Sequence, residues 1–90
     1  MTIDKILTDV ITICKRYHAK EVILFGSRAK GTALERSDID LAISGVSSFD
    51  ELQEAIEDIP TLYSFDIVNM DTCRNDLLLY EIREYGRKIL

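Results

Sequence analysis

Three aspartates in two apolar segments are the residues of this chain best suited to hold a cation. Asp38 and Asp40 alternate with apolar residues over Ser37–Ser44, and Asp66 lies in the middle of the apolar segment Tyr63–Met70. Alternation along a strand sends the side chains of residues i and i+2 to the same face. Like charges at close range cost on the order of 1 kcal/mol per pair in water, and a bound cation reverses the sign. If the two strands adjoin, the spacing predicts a metal site.

Carboxylates are hard oxygen ligands, and this indicates which ions such a site would take. Mg²⁺ binds through a few carboxylates together with substrate phosphates, and Mn²⁺ accepts similar donors. Two such ions about 4 Å apart stabilise both the attacking and the leaving oxygen of an in-line displacement. The sequence therefore predicts two Mg²⁺ ions, with Mn²⁺ as a substitute, beside a triphosphate.

The loop before the aspartate pair has the composition of a phosphate-binding turn. It begins at Gly26 and Ser27, directly after an apolar strand, and it contains Arg28 and Lys30. Backbone N–H groups in such a turn bind anions, and a hydroxyl group and cations add to them. Gly26, Ser27, Arg28 and Lys30 are therefore the predicted phosphate ligands.

The sequence argues against three other kinds of site. Gly26 and Gly31 have the glycine spacing of a Walker A loop, but Thr32 stands where that loop requires lysine. Cys14 and Cys73 match no zinc spacing. A net charge of −5, with the cations scattered along the chain, argues against a dedicated nucleic-acid binder.

The elements that position these residues can be read from periodicity and breakers. Thr2 is a predicted N-cap for a first helix that has His18 in its last turn, and Ser48 and Glu51 form a predicted capping box. The predicted strands are Glu21–Phe25, Ser37–Ser44, Tyr63–Met70 and a small edge strand over Arg87–Leu90. The predicted helices cover residues 3–18, residues 49–58 before the stop at Pro60, and a last helix to Tyr85 that Asn75 or Asp76 caps and Gly86 ends, with one helical turn over Arg28–Ala33. This order predicts a two-layer α+β domain, with a small mixed sheet flanked by helices.

Length and composition predict one domain over residues 1–90. A chain of 90 residues with 47% hydrophobic and 30% charged residues can form a single core. No apolar run approaches the ~18 residues of a membrane span, and the N-terminus lacks a signal-peptide pattern. We therefore expect a cytoplasmic protein whose two cysteines are reduced.

The combined spacing resembles the nucleotidyltransferases of the DNA polymerase β superfamily. Gly26-Ser27, the Asp38-x-Asp40 strand and a later lone Asp66 follow the order of that family's motif, and nearly the whole chain is covered. The short length resembles its minimal nucleotidyltransferase (MNT) branch. This resemblance implies the nucleotidyltransferase fold, which is like the polymerase β palm.

The resemblance also implies roles and partners. Asp38 and Asp40 would hold both Mg²⁺ ions, Asp66 would complete one and help to deprotonate the acceptor hydroxyl, and Gly26 and Ser27 would hold the triphosphate. The implied reaction transfers a nucleoside monophosphate, usually AMP from ATP. Family members commonly act as antitoxins of HEPN-domain toxins, some of which they adenylylate on a tyrosine.

Three functions remain open at this point. The first is a Mg²⁺-dependent nucleotidyltransferase that modifies a partner protein, and the second is an antitoxin that acts by occlusion without catalysis. The third is a sensor that binds ATP and Mg²⁺ without turnover. Because 90 residues leave no room for an acceptor-binding domain, the acceptor surface is expected from a partner chain or from a homo-oligomer. The apolar residues of the last helix, Leu77–Ile82, are a candidate interface.

Overall fold

The computed structural model describes residues 2–26 and 38–90. The predicted order of elements is confirmed there, whereas the helical turn predicted over Arg28–Ala33 lies outside the described residues. The elements are α1 (Ile3–Arg16), β1 (Glu21–Phe25), β2 (Ile39–Ser44), α2 (Phe49–Glu57), β3 (Phe65–Asn69), α3 (Asp76–Tyr85) and β4 (Arg87–Lys88).

The four strands form one mixed sheet in the order β3-β2-β1-β4. β1 is antiparallel to β2 and to β4, while β3 runs parallel to β2. A parallel pair needs a crossover connection, and α2 provides it between β2 and β3. β1 and β2 are therefore the interior strands, and β3 and β4 are the edges.

The two faces of the sheet have different covers. On the first face, side chains such as Leu24 and Leu41 pack with α1 and α2 in the larger apolar cluster. On the second face, Ile23 and Ala42 pack with Ile82 of α3 in a smaller cluster. Strand alternation accounts for this division, because neighbouring residues of β1 and β2 belong to different clusters. Odd-numbered residues of β2 thus face α1 and α2, and even-numbered residues lie on the side of α3, which we call the α3 face.

Two of the three predicted helix caps are formed. The hydroxyl oxygen of Thr2 accepts a hydrogen bond from the backbone N–H of Lys5 at 3.2 Å, and Asn75 accepts one from Leu78 at 3.1 Å. The predicted capping box at Ser48 is wrong, because the Ser48 side chain makes no cap hydrogen bond. Its backbone, at φ −108° and ψ 58°, departs from the extended conformation that aims a cap side chain at the first turn.

The end of α1 differs from the prediction that places His18 in the last helical turn. The helix ends at Arg16, and His18 has a left-handed φ of 62°. The backbone N–H of His18 donates to the carbonyl of Lys15 and that of Ala19 to the carbonyl of Cys14. These two bonds define a Schellman motif, which terminates the helix and turns the chain towards β1.

An exposed ion cluster joins α3 and β4 to the first residue of β1. Glu21 accepts a hydrogen bond from Arg83 at 2.8 Å, and Lys88 lies 3.9 Å from its other carboxylate oxygen.

Among the described residues, no helix is both long and apolar enough to cross a membrane.

Candidate active site

Asp40 and Asp66 are register partners on the adjacent parallel strands β2 and β3. Register partners on neighbouring strands have their Cα atoms about 5 Å apart and project from the same face of the sheet. The other neighbour of Asp40 is Phe25, the last residue of β1. The pair therefore lies on the α3 face, at the end of the sheet where β1 finishes and β2 and β3 begin.

Gly26 brings the backbone against the carboxylate of Asp40. A Cβ atom at Gly26 would overlap the Oδ2 atom of Asp40 and would lie 3.1 Å from its Cγ atom. Gly26 also has a φ of +73°, a conformation that residues with a side chain rarely adopt. Both observations require glycine here, so the turn after β1 contacts the carboxylate directly.

Asp38 lies immediately before β2 and is exposed. In the described part of the chain, no three His, Cys, Asp or Glu side chains form a group that could hold a metal ion. The structure therefore brings Asp40, Asp66 and Gly26 together, and it leaves Asp38 at the rim of the same strand end. The catalytic and metal-binding roles of the three aspartates remain predictions.

The donor set fits a hydrated hard cation. Asp66 is exposed and Asp40 is half-buried, so the pair opens to solvent. Mg²⁺ keeps several waters and needs only one or two protein carboxylates when substrate phosphates supply other oxygens. Asp40 and Asp66 provide two carboxylates on one face, which is sufficient for such an ion.

The remaining predicted ligands lie outside the described residues. Ser27, Arg28 and Lys30 follow Gly26 in the sequence, and their roles as phosphate ligands stay predictions. Gly26 is the only predicted phosphate ligand that the structure describes, and it places the start of the loop beside Asp40.

A groove between the end of α2 and the start of β3 was not predicted from the sequence. It has a volume of about 280 Å³, and its lining includes Glu57, Tyr63, Ser64 and Phe65. The backbone N–H of Ile39 donates to the carbonyl of Ser64 at 2.9 Å, which fixes the groove at the start of β2 and β3.

Comparison with known proteins agrees with this geometry. The family model described as "Polymerase beta, Nucleotidyltransferase" matches residues 8–90. No curated protein sequence matches the chain significantly. A chain in the crystal structure of a double Asp-to-Glu mutant of the toxin–antitoxin MntA–HpeT superposes with a TM-score of 0.68 at 17% identity, covering 92% of this chain and 71% of that chain.

These findings confirm the α+β nucleotidyltransferase fold that the resemblance implied. The family match extends from α1 to the last residue and includes Gly26, Asp38, Asp40 and Asp66. The chain therefore belongs to the polymerase beta nucleotidyltransferase family.

Proposed function

We propose that this chain is a Mg²⁺-dependent nucleotidyltransferase that transfers a nucleoside monophosphate, AMP from ATP, to a hydroxyl group. The observation that carries the proposal is the register of Asp40 with Asp66, with the backbone of Gly26 against the Asp40 carboxylate. Two carboxylates in register on adjacent strands lie close enough to share one cation, which would offset their mutual repulsion. Such a pair suits an ion-dependent reaction better than a structural role.

Each residue has a distinct part in this proposal. Asp40 and Asp66 bind Mg²⁺ as oxygen ligands, and Asp38 joins them from the rim of the strand end. When bound, Mg²⁺ neutralises charge on the triphosphate. Gly26 offers its backbone to the phosphates because its missing side chain lets the turn approach the site. Ser27, with Arg28 and Lys30, extends the phosphate contacts along the loop.

The transfer forms one bond and breaks one. The acceptor hydroxyl oxygen bonds to the α-phosphorus of ATP, and the bond from that phosphorus to the oxygen bridging to the β-phosphate breaks. Pyrophosphate leaves, and the hydroxyl proton passes to the carboxylate of Asp66. Asp66 suits this role because it is the more exposed member of the pair. A base within hydrogen-bond reach of the hydroxyl contributes about 10²- to 10⁴-fold to the rate.

The proposed acceptor is a tyrosine of a HEPN-domain toxin, which places the chain in a toxin–antitoxin pair. Support comes from the fold, which is similar to a structure described as a toxin–antitoxin. In this arrangement the partner supplies the acceptor surface. The chain is then an antitoxin that acts by modifying its toxin.

The experiment incubates the chain with ATP labelled on the α-phosphate, Mg²⁺ and the protein that the neighbouring gene encodes. Asp40→Asn and Asp66→Asn are compared with wild type. Glu81→Gln is the control, because Glu81 is an exposed acid of α3 outside the carboxylate pair. We expect labelled partner from wild type and Glu81→Gln, and at least a 100-fold loss in both aspartate variants.

Another result would point to the alternative function. If no version labels the partner but all versions form a tight complex that silences the toxin, the chain acts by occlusion and the transferase proposal is wrong. Labelling that is equally strong in the aspartate variants would show that the transfer does not use this site.

A further inference from the structure

In the described part of the chain, no strand pairs with the outer edge of β3. β3 is an edge strand, and none of its five residues is fully buried. The carbonyl of Ser64 and the N–H of Met70 bond to β2. Because successive residues of a strand direct their backbone groups to opposite sides, Asp66 and Val68 also face β2. The backbone groups of Phe65 and Ile67 therefore point outward.

No described residue bonds to those outward groups. Neither the N–H nor the carbonyl of Phe65 or Ile67 has a backbone partner beyond β2. The open edge ends at Asn69, whose carbonyl accepts from the N–H of Cys73 at 3.0 Å in the turn after β3. An edge strand with unpaired backbone groups can pair with an added strand.

The start of this edge has features of a binding surface. The groove lined by Glu57, Tyr63 and Phe65 lies there. Leu62, three residues before β3, is fully exposed at 101% of its reference area. A strand added at the edge would run past an apolar side chain and a groove with an acidic wall.

The stretch of sequence that forms this edge carries charge of a single sign. From residue 37 to residue 73, which includes β2, α2 and β3, the sequence contains no lysine or arginine. The same stretch contains nine acidic residues: Asp38, Asp40, Asp50, Glu51, Glu54, Glu57, Asp58, Asp66 and Asp71. The opposite edge strand, β4, consists of Arg87 and Lys88. The sheet therefore has one acidic and one basic edge.

We propose that the outer edge of β3 binds an extended, positively charged segment of the acceptor protein as an added strand. Backbone hydrogen bonds to Phe65 and Ile67 would hold the segment, and its lysines or arginines would face the acidic surroundings. A second copy of the chain is a poor occupant, because pairing β3 with β3 would bring two acidic regions of molecules with a net charge of −5 together.

The added strand would also define the acceptor, and this part rests on the function proposed above. Asp66 lies on β3 itself, with its side chain on the α3 face. A residue opposite Asp66 on the added strand would have its Cα atom about 5 Å away and would project to the same face. A serine, threonine or tyrosine there would hold its hydroxyl beside the carboxylate that takes the proton.

Amide hydrogen exchange tests this proposal without nucleotide. The probe is a capped hexapeptide of alternating lysine and valine, and its glutamate–valine analogue is the control. At saturating lysine peptide we expect the Phe65 and Ile67 amides to exchange at least tenfold more slowly. The amides of Asp66 and Val68, which already bond to β2, should change little.

Variants and peptide chemistry make the test sharper. Glu57→Lys should weaken binding about two- to fivefold, in line with an exposed ion pair, whereas Glu54→Lys, one turn earlier on α2 and outside the groove lining, should leave it unchanged. Only one alternate set of the peptide N–H groups would face β3. N-methylation of that set should abolish binding, whereas N-methylation of the other set should preserve it.

Three outcomes would overturn the proposal. These are equal protection by the glutamate peptide, protection at β4 in place of β3, and Phe65 and Ile67 amides already protected by self-association of the free chain. Failure of the transferase function would be distinct, because nucleotide transfer would then be absent while peptide binding persisted. Conversely, transfer without protection of β3 would leave the function standing and remove the edge as its acceptor site.

Discussion

Gly26 and Asp40 are in direct contact: the Asp40 carboxylate occupies the space that a Cβ atom at residue 26 would need. Gly26 directly follows Phe25, the register partner of Asp40 on the neighbouring strand. The contact links the start of the predicted phosphate loop to the predicted metal ligand. A change at residue 26 must therefore move the loop, the carboxylate or both.

Gly26→Ala should abolish Mg²⁺-dependent nucleotide binding, because the new methyl group displaces the Asp40 carboxylate. The positive φ adds strain on the order of 1 kcal/mol. Gly45→Ala is the control for general strain, since Gly45 has a φ of +82° and its Cβ would meet the Cβ, Cγ and Cδ atoms of Lys20 and no residue of the carboxylate pair. Titration calorimetry should show loss of binding in the first variant alone. Equal losses in both would attribute the effect to backbone strain.

Asp66→Asn should leave the metal-free protein as stable as wild type or more stable, by up to about 1 kcal/mol, because it removes repulsion from Asp40. The same change should eliminate the rise in melting temperature that ATP and Mg²⁺ produce in wild type. Thermal unfolding in EDTA and in Mg²⁺–ATP measures both effects, with Glu81→Gln as the control. A clearly lower melting temperature in EDTA would show that Asp66 has a structural role.

His18→Gly should stabilise the protein by about 0.5–1 kcal/mol. His18 has a φ of 62° at the position that follows the C-cap of α1, where glycine carries no steric penalty. His18→Ala, which keeps the penalty, should give no such gain. Urea unfolding of the three proteins tests the ranking, and a destabilised glycine variant would mean that the imidazole makes a stabilising contact.

The thiol of Cys14 should be unreactive in the folded protein. Burial raises its pKa from 9.0 to about 11, so the neutral thiol persists in the fold and little thiolate is available to react. The Cys14 thiol ionises at a lower pH in the unfolded chain than in the folded one. Its contribution to the free energy of unfolding is therefore complete below pH 9 and is lost as the pH rises towards 11. Two pKa units correspond to about 2.7 kcal/mol.

Counting reactive thiols at pH 8 tests whether the Cys14 thiol is unreactive in the folded protein. Only Cys73, which is half-buried, should react in buffer, and both cysteines should react in urea. The loss of stability at high pH is tested by measuring the free energy of unfolding between pH 8 and pH 11, with Cys14→Ala as the comparison. An equally steep fall in that variant would assign the pH dependence to other groups.

The sequence was sufficient for features that depend on local pattern. The apolar run Glu21–Phe25, the alternation around Asp40 and the caps at Thr2 and Asn75 all gave elements that the structure contains. A small edge strand was predicted over Arg87–Leu90, and the structure has one at Arg87–Lys88. Each of these features depends on residues that are close together in the sequence, so it could be predicted without knowledge of the tertiary structure.

Other features depend on tertiary structure. The pairing of Asp66 with Asp40 required β3 to align in parallel beside β2, which the sequence could only state as a condition. Ser48 has the right residue type for a cap, but the chain enters α2 with an unsuitable backbone angle. The contact of Gly26 with Asp40 depends on the register of β1 with β2, which the sequence does not reveal.

The parallel pairing of β2 with β3 has a consequence for folding. The antiparallel pair β1–β2 can form without any later part of the chain, whereas Asp66 reaches Asp40 only after α2 has crossed the sheet and packed through Leu52 and Ile56. Contacts between distant residues are slow to form because a long loop must close first. We therefore expect the carboxylate pair to assemble in the last stages of folding, so that an incompletely folded chain carries no competent site.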